Sequence, residues 1–142
     1  MRIAIVSAPS KRRRPPDFVT ALAKGMELMG HYVVLVDAWA DDGARLGGCE
    51  YIAIVAEPVS FFSGKIPDVV GKILASGSGI GGKKSAAFVK KSGLRTGKAL
   101  SLLMKAMEKE GMLINWSDVL LSVPHAEAMG KTIGTYKIRE PA

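Results

Sequence analysis

The sequence predicts an α/β fold in which one mostly parallel sheet carries helices on both faces. Three observations predict it. Short apolar segments rich in Val and Ile alternate with segments of helical periodicity,. Hydrophobic residues make up 48% of the chain and aromatic residues only 6%, which is typical of a sheet buried on both faces,. A length of 142 residues suits one core, so we expect residues 1–142 to form a single domain,.

The first half of the chain alternates strands with a helix. Arg2–Val6 is short, β-branched and almost wholly apolar, as a central parallel strand requires,. From Asp17 to Met29 apolar residues recur at helical spacing, and a glycine follows as a helix stop,. Tyr32–Val36 and Tyr51–Val55 predict the second and third strands. The turn-rich segment 37–48 between them is too weakly periodic to predict a helix,.

The second half continues the alternation. Apolar residues at helical spacing predict a short helix over Pro67–Ser76, an amphipathic helix over Ala99–Met107 and a last short helix over His125–Gly134,. Ser85–Val89 predicts the fourth strand. A fifth strand, either continuous or interrupted, is predicted from two apolar pieces, Met112–Ile114 and Val119–Leu121.

The alternation also predicts where a ligand would bind. Parallel strands joined by helices are linked by right-handed crossovers, and open sheets of this kind bind ligands beyond the carboxyl ends of their strands. Three loops are therefore candidates for a site. They follow the first, third and fourth strands and cover Ser7–Pro16, Glu57–Lys65 and Lys90–Thr96.

Basic residues are in excess, with 20 Lys and Arg against 13 Asp and Glu and a formal charge of +7. Such a charge attracts anions from a distance without choosing between phosphorylated small molecules, acidic proteins and nucleic acid. Nucleic acid is a minor alternative, because few aromatic residues are interleaved with the basic ones. No apolar run reaches the ~18 residues of a membrane span, and the chain begins on a strand-like segment, so we expect a cytoplasmic protein,.

Other motifs do not predict chemistry. The pattern Gly77-x-Gly79-x-x-Gly82 matches a dinucleotide fingerprint, yet it precedes a predicted strand where the fingerprint must follow one, so a connector is the better interpretation,. Cys49 is interpreted as a bystander thiol,. No metal-ligand spacing, nucleophile or general acid can be assembled, so we predict neither a metal site nor catalytic residues. Any enzyme activity would depend on a cofactor.

The segment Tyr51–Pro67, followed by Gly82–Val89, resembles the flavodoxin family. In that family a strand ends in a proline-containing loop with an aromatic residue and a downstream Ile-Pro, followed by a helix and a Gly-Lys-Lys-x-Ala-x-Phe strand. The resemblance implies a three-layer α/β/α sandwich with a five-stranded parallel sheet in the flavodoxin-like order 2-1-3-4-5. It also implies flavin mononucleotide (FMN) over the three candidate loops, with the flavin ring between residues 59–63 and 91–95.

The resemblance gives candidate FMN-binding residues in all three loops. They are Ser7, Ser10, Arg12, Arg13 and Arg14 after the first strand, Pro58, Val59, Ser60, Phe61 and Phe62 after the third, and Lys91, Ser92 and Gly93 after the fourth. Two adjacent aromatic residues in a loop cannot both point at the core. One of them is therefore either an exposed stacking or contact surface or part of a loop folded against its own domain.

The loop after the first strand departs from the family's pattern, which is rich in Ser, Thr and Gly. Pro9, Pro15 and Pro16 lack N–H donors, and no glycine allows a close backbone approach,. Asp17, predicted to cap the helix with its carboxylate, would repel an anion there. The run Arg12–Arg14 offers charge-assisted contacts that would replace the missing amides,.

Two functional hypotheses remain open. In the first, the chain is a diverged flavodoxin-like domain with weakened or lost FMN binding, which acts through a basic loop edge on an anionic ligand or an acidic protein. In the second, it is an FMN-binding electron-transfer or flavin reductase-type redox protein, with Arg12–Arg14 on the phosphate and Phe61 or Phe62 on the ring. Basic residues on both sides of the fourth strand favour a positive edge, opposite in sign to the docking face that the resemblance implies.

Overall fold

A computed structural model describes residues 1–133 and has the expected α/β/α architecture. In chain order the elements are β1 (Arg2–Ala8), α1 (Asp17–Leu28), β2 (Tyr32–Asp37), β3 (Tyr51–Ala56), α2 (Asp68–Ser76), β4 (Lys84–Lys90), α3 (Thr96–Lys109), β5 (Leu113–Leu120) and α4 (Val123–Thr132). The five strands are parallel in the order β2-β1-β3-β4-β5, which confirms the order that the resemblance implies. The last predicted residue of the final helix, Gly134, lies outside the described residues.

The sheet is covered on both faces because its strands alternate side chains between two apolar clusters. Ile3 and Ile5 of β1 pack in the cluster that contains α1 and α4, whereas Ala4 and Val6 pack in the cluster that contains α2 and α3. Every residue of β3 is buried. The continuous apolar sequences of the central strands follow from this two-sided burial.

The helices α1 and α4 touch each other at two glycines. A Cβ atom added to Gly25 would overlap the carbonyl oxygen of Glu127, and one added to Gly130 would overlap that of Leu22. Only glycine allows two helix backbones to approach so closely. Near this contact, Lys24 and Glu127 form a surface ion pair at 3.4 Å.

The fifth strand is continuous, which decides between the two alternatives. Ser85 of β4 pairs with Ile114, but the next residue of β4 pairs with Trp116, so Asn115 is an extra residue in β5. This β-bulge changes the alternation of side chains and makes the apolar pattern look interrupted. The Tyr51 hydroxyl donates a hydrogen bond to Asn115 Oδ1 at 2.7 Å, which fixes the bulge against β3.

Two connections between these elements have a defined structure. A short 3₁₀ helix occupies Gly43–Gly48, where the sequence predicts no helix, and the Asp42 carboxylate caps it by accepting from Ala44 N at 2.9 Å. The glycine-rich segment 77–82 joins α2 to β4 and so precedes a strand, as predicted. Within residues 1–133 no helix has both the length and the apolar character needed to cross a bilayer.

Candidate functional site

The three candidate loops meet at the carboxyl edge of the sheet. Ala8 at the end of β1 lies opposite Ala56 at the end of β3, and the backbone N–H of Glu57 donates to the Ala8 carbonyl oxygen at 3.1 Å. Beyond β4, Lys91 N donates to Leu120 O of β5 at 2.9 Å. The parallel register therefore brings together the loops that the sequence singles out.

The carboxylate of Glu57 lies at this edge and contacts donors from two of the loops. Only 7% of the residue is exposed. Its Oε1 accepts from the backbone N–H of Ser10 at 3.0 Å and from Arg13 Nη2 at 2.6 Å. Lys90 Nζ lies 3.9 Å from Oε2. One amide and one guanidinium of the loop after β1 are thus directed at an internal anion.

The remaining candidates in the loop after β1 lie in different environments. Ser7 is buried at the end of β1, and its hydroxyl has no hydrogen-bond partner among residues 1–133. Arg12 and Arg14 are exposed. The Trp39 indole Nε1 donates to the carbonyl oxygen of Pro9 at 2.9 Å, which anchors the start of the loop.

The predicted cap of α1 is wrong. Pro16 occupies the N-cap position, and no side chain makes a capping hydrogen bond there. Asp17 is the first residue of the helix, one position too far along for its carboxylate to cap it,. Its negative charge still lies in the first turn, where it favours the helix and opposes a bound anion.

The loops after β3 and β4 are bound to each other through their backbones. Leu94 N donates to the carbonyl oxygen of Phe61 at 2.9 Å. Gly93 has φ +70°, and a Cβ atom at this position would overlap the same carbonyl oxygen. Among the other candidates, Pro58 is buried and Ser92 N donates to Thr96 Oγ1 at 3.3 Å. The two loops therefore leave no gap between Phe61 and Gly93.

Four hydrophobic side chains project from these joined loops, and we call them the edge patch. Val59 is 48% exposed, Phe61 57%, Phe62 73% and Leu94 70%. Both phenylalanines are therefore exposed, and their rings meet edge to face with centroids 5.0 Å apart. Ser60, beside them, is also exposed. Four exposed basic residues belong to the same loops or to the start of α3, namely Lys65, Lys91, Arg95 and Lys98.

Sequence reasoning missed Glu57 as a functional residue. A single carboxylate after a strand belongs to no motif. Its partner Arg13 is 44 residues away in the sequence. The available signal was its position directly after a buried strand, since a charged residue that is itself buried there needs a counter-charge.

The lone cysteine lies at the opposite end of the sheet. Cys49 precedes β3 at the amino edge and is buried, and burial raises the pKa of its thiol despite the lowering influence of nearby basic residues such as Arg2. A buried thiol of raised pKa is a poor nucleophile. Within residues 1–133 no three His, Cys, Asp or Glu side chains are placed to hold a metal ion.

Solved structures with the same architecture include flavodoxins. A flavodoxin from the domain Archaea is 18% identical over 99% of this chain and 100% of its own, with a TM-score of 0.72. Oxidised flavodoxin 1 from Bacillus cereus is 14% identical over 95% of each chain, with a TM-score of 0.70. A WrbA-like flavodoxin from Agrobacterium tumefaciens is 16% identical over 94% of this chain and 95% of its own, with a TM-score of 0.63.

These likenesses confirm the flavodoxin-like fold that the sequence resemblance implies. No model of a protein family and no curated protein matches the chain. At such low identities the shared property is the fold, and function has to be argued from the residues at the carboxyl edge.

Proposed function

We propose that this flavodoxin-like domain is a binding module that recognises an acidic protein through its carboxyl edge and does not hold FMN in the place that the resemblance implies. The observation that carries the proposal is the position of Glu57. Its carboxylate accepts the hydrogen bonds of Ser10 and Arg13, which are donors that a phosphate at this loop would need,.

Charge opposes a phosphate beside Glu57. Two like unit charges about 4 Å apart near a protein surface repel by about 4 kcal/mol, which is about a thousandfold in a dissociation constant. Arg13 offsets part of this repulsion, but its bond to Glu57 already occupies a donor that a phosphate would need. The three prolines of the loop also reduce the number of amides that could take over,.

Space opposes the flavin ring between Phe61 and Gly93. A planar ring held between two loops needs about 7 Å between the atoms on its two sides, twice a contact distance of about 3.5 Å. Here a hydrogen bond of 2.9 Å joins the loops, and the missing Cβ of Gly93 makes room for the Phe61 carbonyl group. In this arrangement the loops bind each other rather than a ligand.

The edge patch and its basic neighbours support an acidic protein as the partner. Protein interfaces combine an apolar centre with a polar rim, and clustered exposed hydrophobic residues often mark them. The centre here is the edge patch. Its rim carries Lys65, Lys91, Arg95 and Lys98 on a chain of formal charge +7. A complementary partner has an apolar side chain surrounded by carboxylates.

Site-specific photo-crosslinking in the native cells tests this proposal. Phe62 is replaced by p-benzoylphenylalanine, and the control carries the same group in place of Tyr32, which is 63% exposed on the edge strand β2. We expect an acidic protein to be captured from position 62 and not from position 32. The yield of the captured protein from position 62 should fall when Lys91→Glu and Arg95→Glu are added, because the reversed charges repel an acidic protein.

Three results would overturn the proposed partner. Capture of the same proteins from both positions would indicate non-specific contact. Capture of a second copy of this chain would indicate that the edge patch is a homodimer surface. Capture of a basic protein, or a yield that does not respond to charge reversal, would contradict the electrostatic complementarity.

A further inference from the structure

The strand β2 lies at one side of the sheet and pairs with β1 alone. Before Asp37 its sequence is Tyr-Val-Val-Leu-Val, which contains no proline, glycine or charge. Its register with β1 is regular over the whole of Tyr32–Asp37, so no bulge twists the strand away,. Solvent-facing edge strands are usually protected by prolines, charges or bulges, because an open edge pairs readily with another strand. This edge is therefore suited to pairing.

The backbone of β2 directs the polar groups of alternate residues away from the sheet. Ala38 N, one residue past the strand, donates to Ser7 O of β1 at 2.9 Å. Because backbone N–H and C=O groups alternate between the two sides of a strand, those of Val33, Leu35 and Asp37 face away from β1. Three residues thus present their backbones outward.

One of these three residues is satisfied within the chain. Asp37 N donates to Asp41 Oδ2 at 2.8 Å, and Asp37 O accepts from Asp41 N at 2.8 Å. Among residues 1–133, Val33 and Leu35 have no strand on their outer side. We call their two outward N–H groups and two outward C=O groups the open edge.

We infer that β2 pairs antiparallel with β2 of a second copy of this chain, so that the two sheets join in a homodimer. A two-fold axis at Val34 places Val33 of each copy opposite Leu35 of the other. Each of these two pairs exchanges two hydrogen bonds, so every group of both open edges is satisfied. An axis at Val33 or at Leu35 would match only one open residue of each copy with an open residue of the other. The open edge is therefore complementary to itself in one register.

The same register brings apolar side chains together across the axis. Val33 meets Leu35, Val34 meets its own copy, and Tyr32 meets Val36, and such cross-strand pairs stabilise a sheet. Tyr32 is 63% exposed and Leu35 36%. Val36 is already buried, so the surface that pairing covers belongs mainly to the other four residues. Pairing therefore removes apolar surface from water.

The two ends of β2 carry opposite charges, which favours a second copy as the partner. Arg2 lies beside Tyr32 at one end, with its guanidinium carbon 5.2 Å from the centroid of the Tyr32 ring. Glu50 accepts from Arg2 N at 3.5 Å, but it lies on the side of β1 that faces β3. The turn at the other end of β2 carries three carboxylates, those of Asp37, Asp41 and Asp42. Antiparallel pairing places the basic end of each copy beside the acidic end of the other.

Sedimentation equilibrium of the full chain tests the inference. We expect a reversible monomer–dimer equilibrium with a dissociation constant below about 1 mM. Leu35→Lys should weaken the dimer by about tenfold or more, because each copy then brings a lysine to the paired edge. Leu94→Lys is the matched control, since it places the same charge on a leucine of the edge patch that is 70% exposed. It should change the dissociation constant by less than about twofold, because distant surface charges are screened. Urea unfolding of both variants checks that they are folded.

Disulfide formation under mild oxidation tests the register. In the proposed dimer the two copies of residue 34 face each other with about 4.5 Å between their Cα atoms, which suits a disulfide. The two copies of residue 32 are offset by four residues, or about 13 Å, which is too far for a disulfide. Val34→Cys should therefore form a covalent dimer, whereas Tyr32→Cys should not, although position 32 is the more exposed. The native Cys49 is buried in both variants.

A chain that stays monomeric up to about 1 mM would overturn the inference. Equal weakening by the two lysine variants, or greater weakening by Leu94→Lys, would also overturn it, the latter by placing the dimer contact on the edge patch. A covalent dimer that forms as readily from Tyr32→Cys as from Val34→Cys would contradict the register. The acidic partner is tested by crosslinking from position 62, outside β2, so either idea can fail while the other stands. In that experiment, position 32 should capture a second copy of this chain.

Discussion

Two contacts in this chain depend on a glycine in the same way. One joins α1 to α4, and the other joins the loop after β3 to the loop after β4. In both, a glycine replaces a side chain that would overlap a neighbouring carbonyl oxygen, Gly25 against Glu127 and Gly93 against Phe61. The first contact joins two helices that cover one face of the sheet. The second joins two exposed loops at the place where the resemblance puts a flavin ring.

The core and the carboxyl edge of this chain are specified by different kinds of contact. Apolar packing specifies the sheet and its helices whatever lies at the carboxyl edge. The edge depends on a few polar contacts and one glycine, so it can exchange a ligand for internal contacts while the core is kept. Replacing each glycine should therefore have different consequences.

The largest effect is expected for Gly25→Ala. The added methyl group meets backbone on α4 and has no flexible side chain to displace, so the free energy of unfolding should fall by about 3 kcal/mol. Gly71→Ala is the matched control, since Gly71 is an exposed helical glycine of α2 with no atom within 4 Å of the added carbon. It should raise stability by about 0.5 kcal/mol.

Urea unfolding of both variants measures the difference. If Gly25→Ala does not lower the free energy of unfolding relative to Gly71→Ala, then α1 and α4 move apart at little cost. In that case the helix contact does not define the fold.

A smaller effect is expected for Gly93→Ala. Its φ of +70° and the overlap with the Phe61 carbonyl both oppose an alanine. Gly82→Ala shares the positive φ, at +80°, but has no atom within 4 Å of the added carbon. Gly93→Ala should therefore lower the free energy of unfolding by about 1 kcal/mol more than Gly82→Ala does. This difference is the cost of separating the loops.

Amide hydrogen exchange gives a local measure of the same separation. Exchange at Leu94 N, which donates to Phe61 O, should accelerate in Gly93→Ala and stay unchanged in Gly82→Ala,. Equal losses of stability with unchanged exchange would show that the loops are not held together at this point.

The sequence predicts the fold well because burial on both faces leaves a strong record. The central strands read as continuous apolar runs, and the register that follows brings three loops to one edge. It does not decide whether β5 is continuous, since the bulge at Asn115 breaks the alternation without ending the strand,. The cap predicted at Asp17 is wrong because the helix begins at that residue, which leaves Pro16 in the cap position.

The candidate site is predicted only in part, because its contacts are long-range. The sequence shows that the loop after β1 is basic and poor in amide donors. It does not show that Glu57 receives the hydrogen bonds of Ser10 and Arg13, because those residues are distant in sequence. Likewise, the glycine at position 93 gives no sign that it contacts Phe61.

We infer that Glu57 takes the place of a phosphate, and a titration with FMN distinguishes this arrangement from an FMN site. Quenching of flavin fluorescence is followed in the wild-type protein and in Glu57→Ala, with riboflavin as the phosphate-free control. We predict no saturation of the wild type up to about 1 mM, which corresponds to about 4 kcal/mol of binding. In Glu57→Ala the freed donors should give FMN a measurable preference over riboflavin. Micromolar binding of FMN by the wild type, dependent on the phosphate and weakened by Arg12→Ala, Arg13→Ala and Arg14→Ala together, would contradict the claim and establish the FMN-binding redox protein.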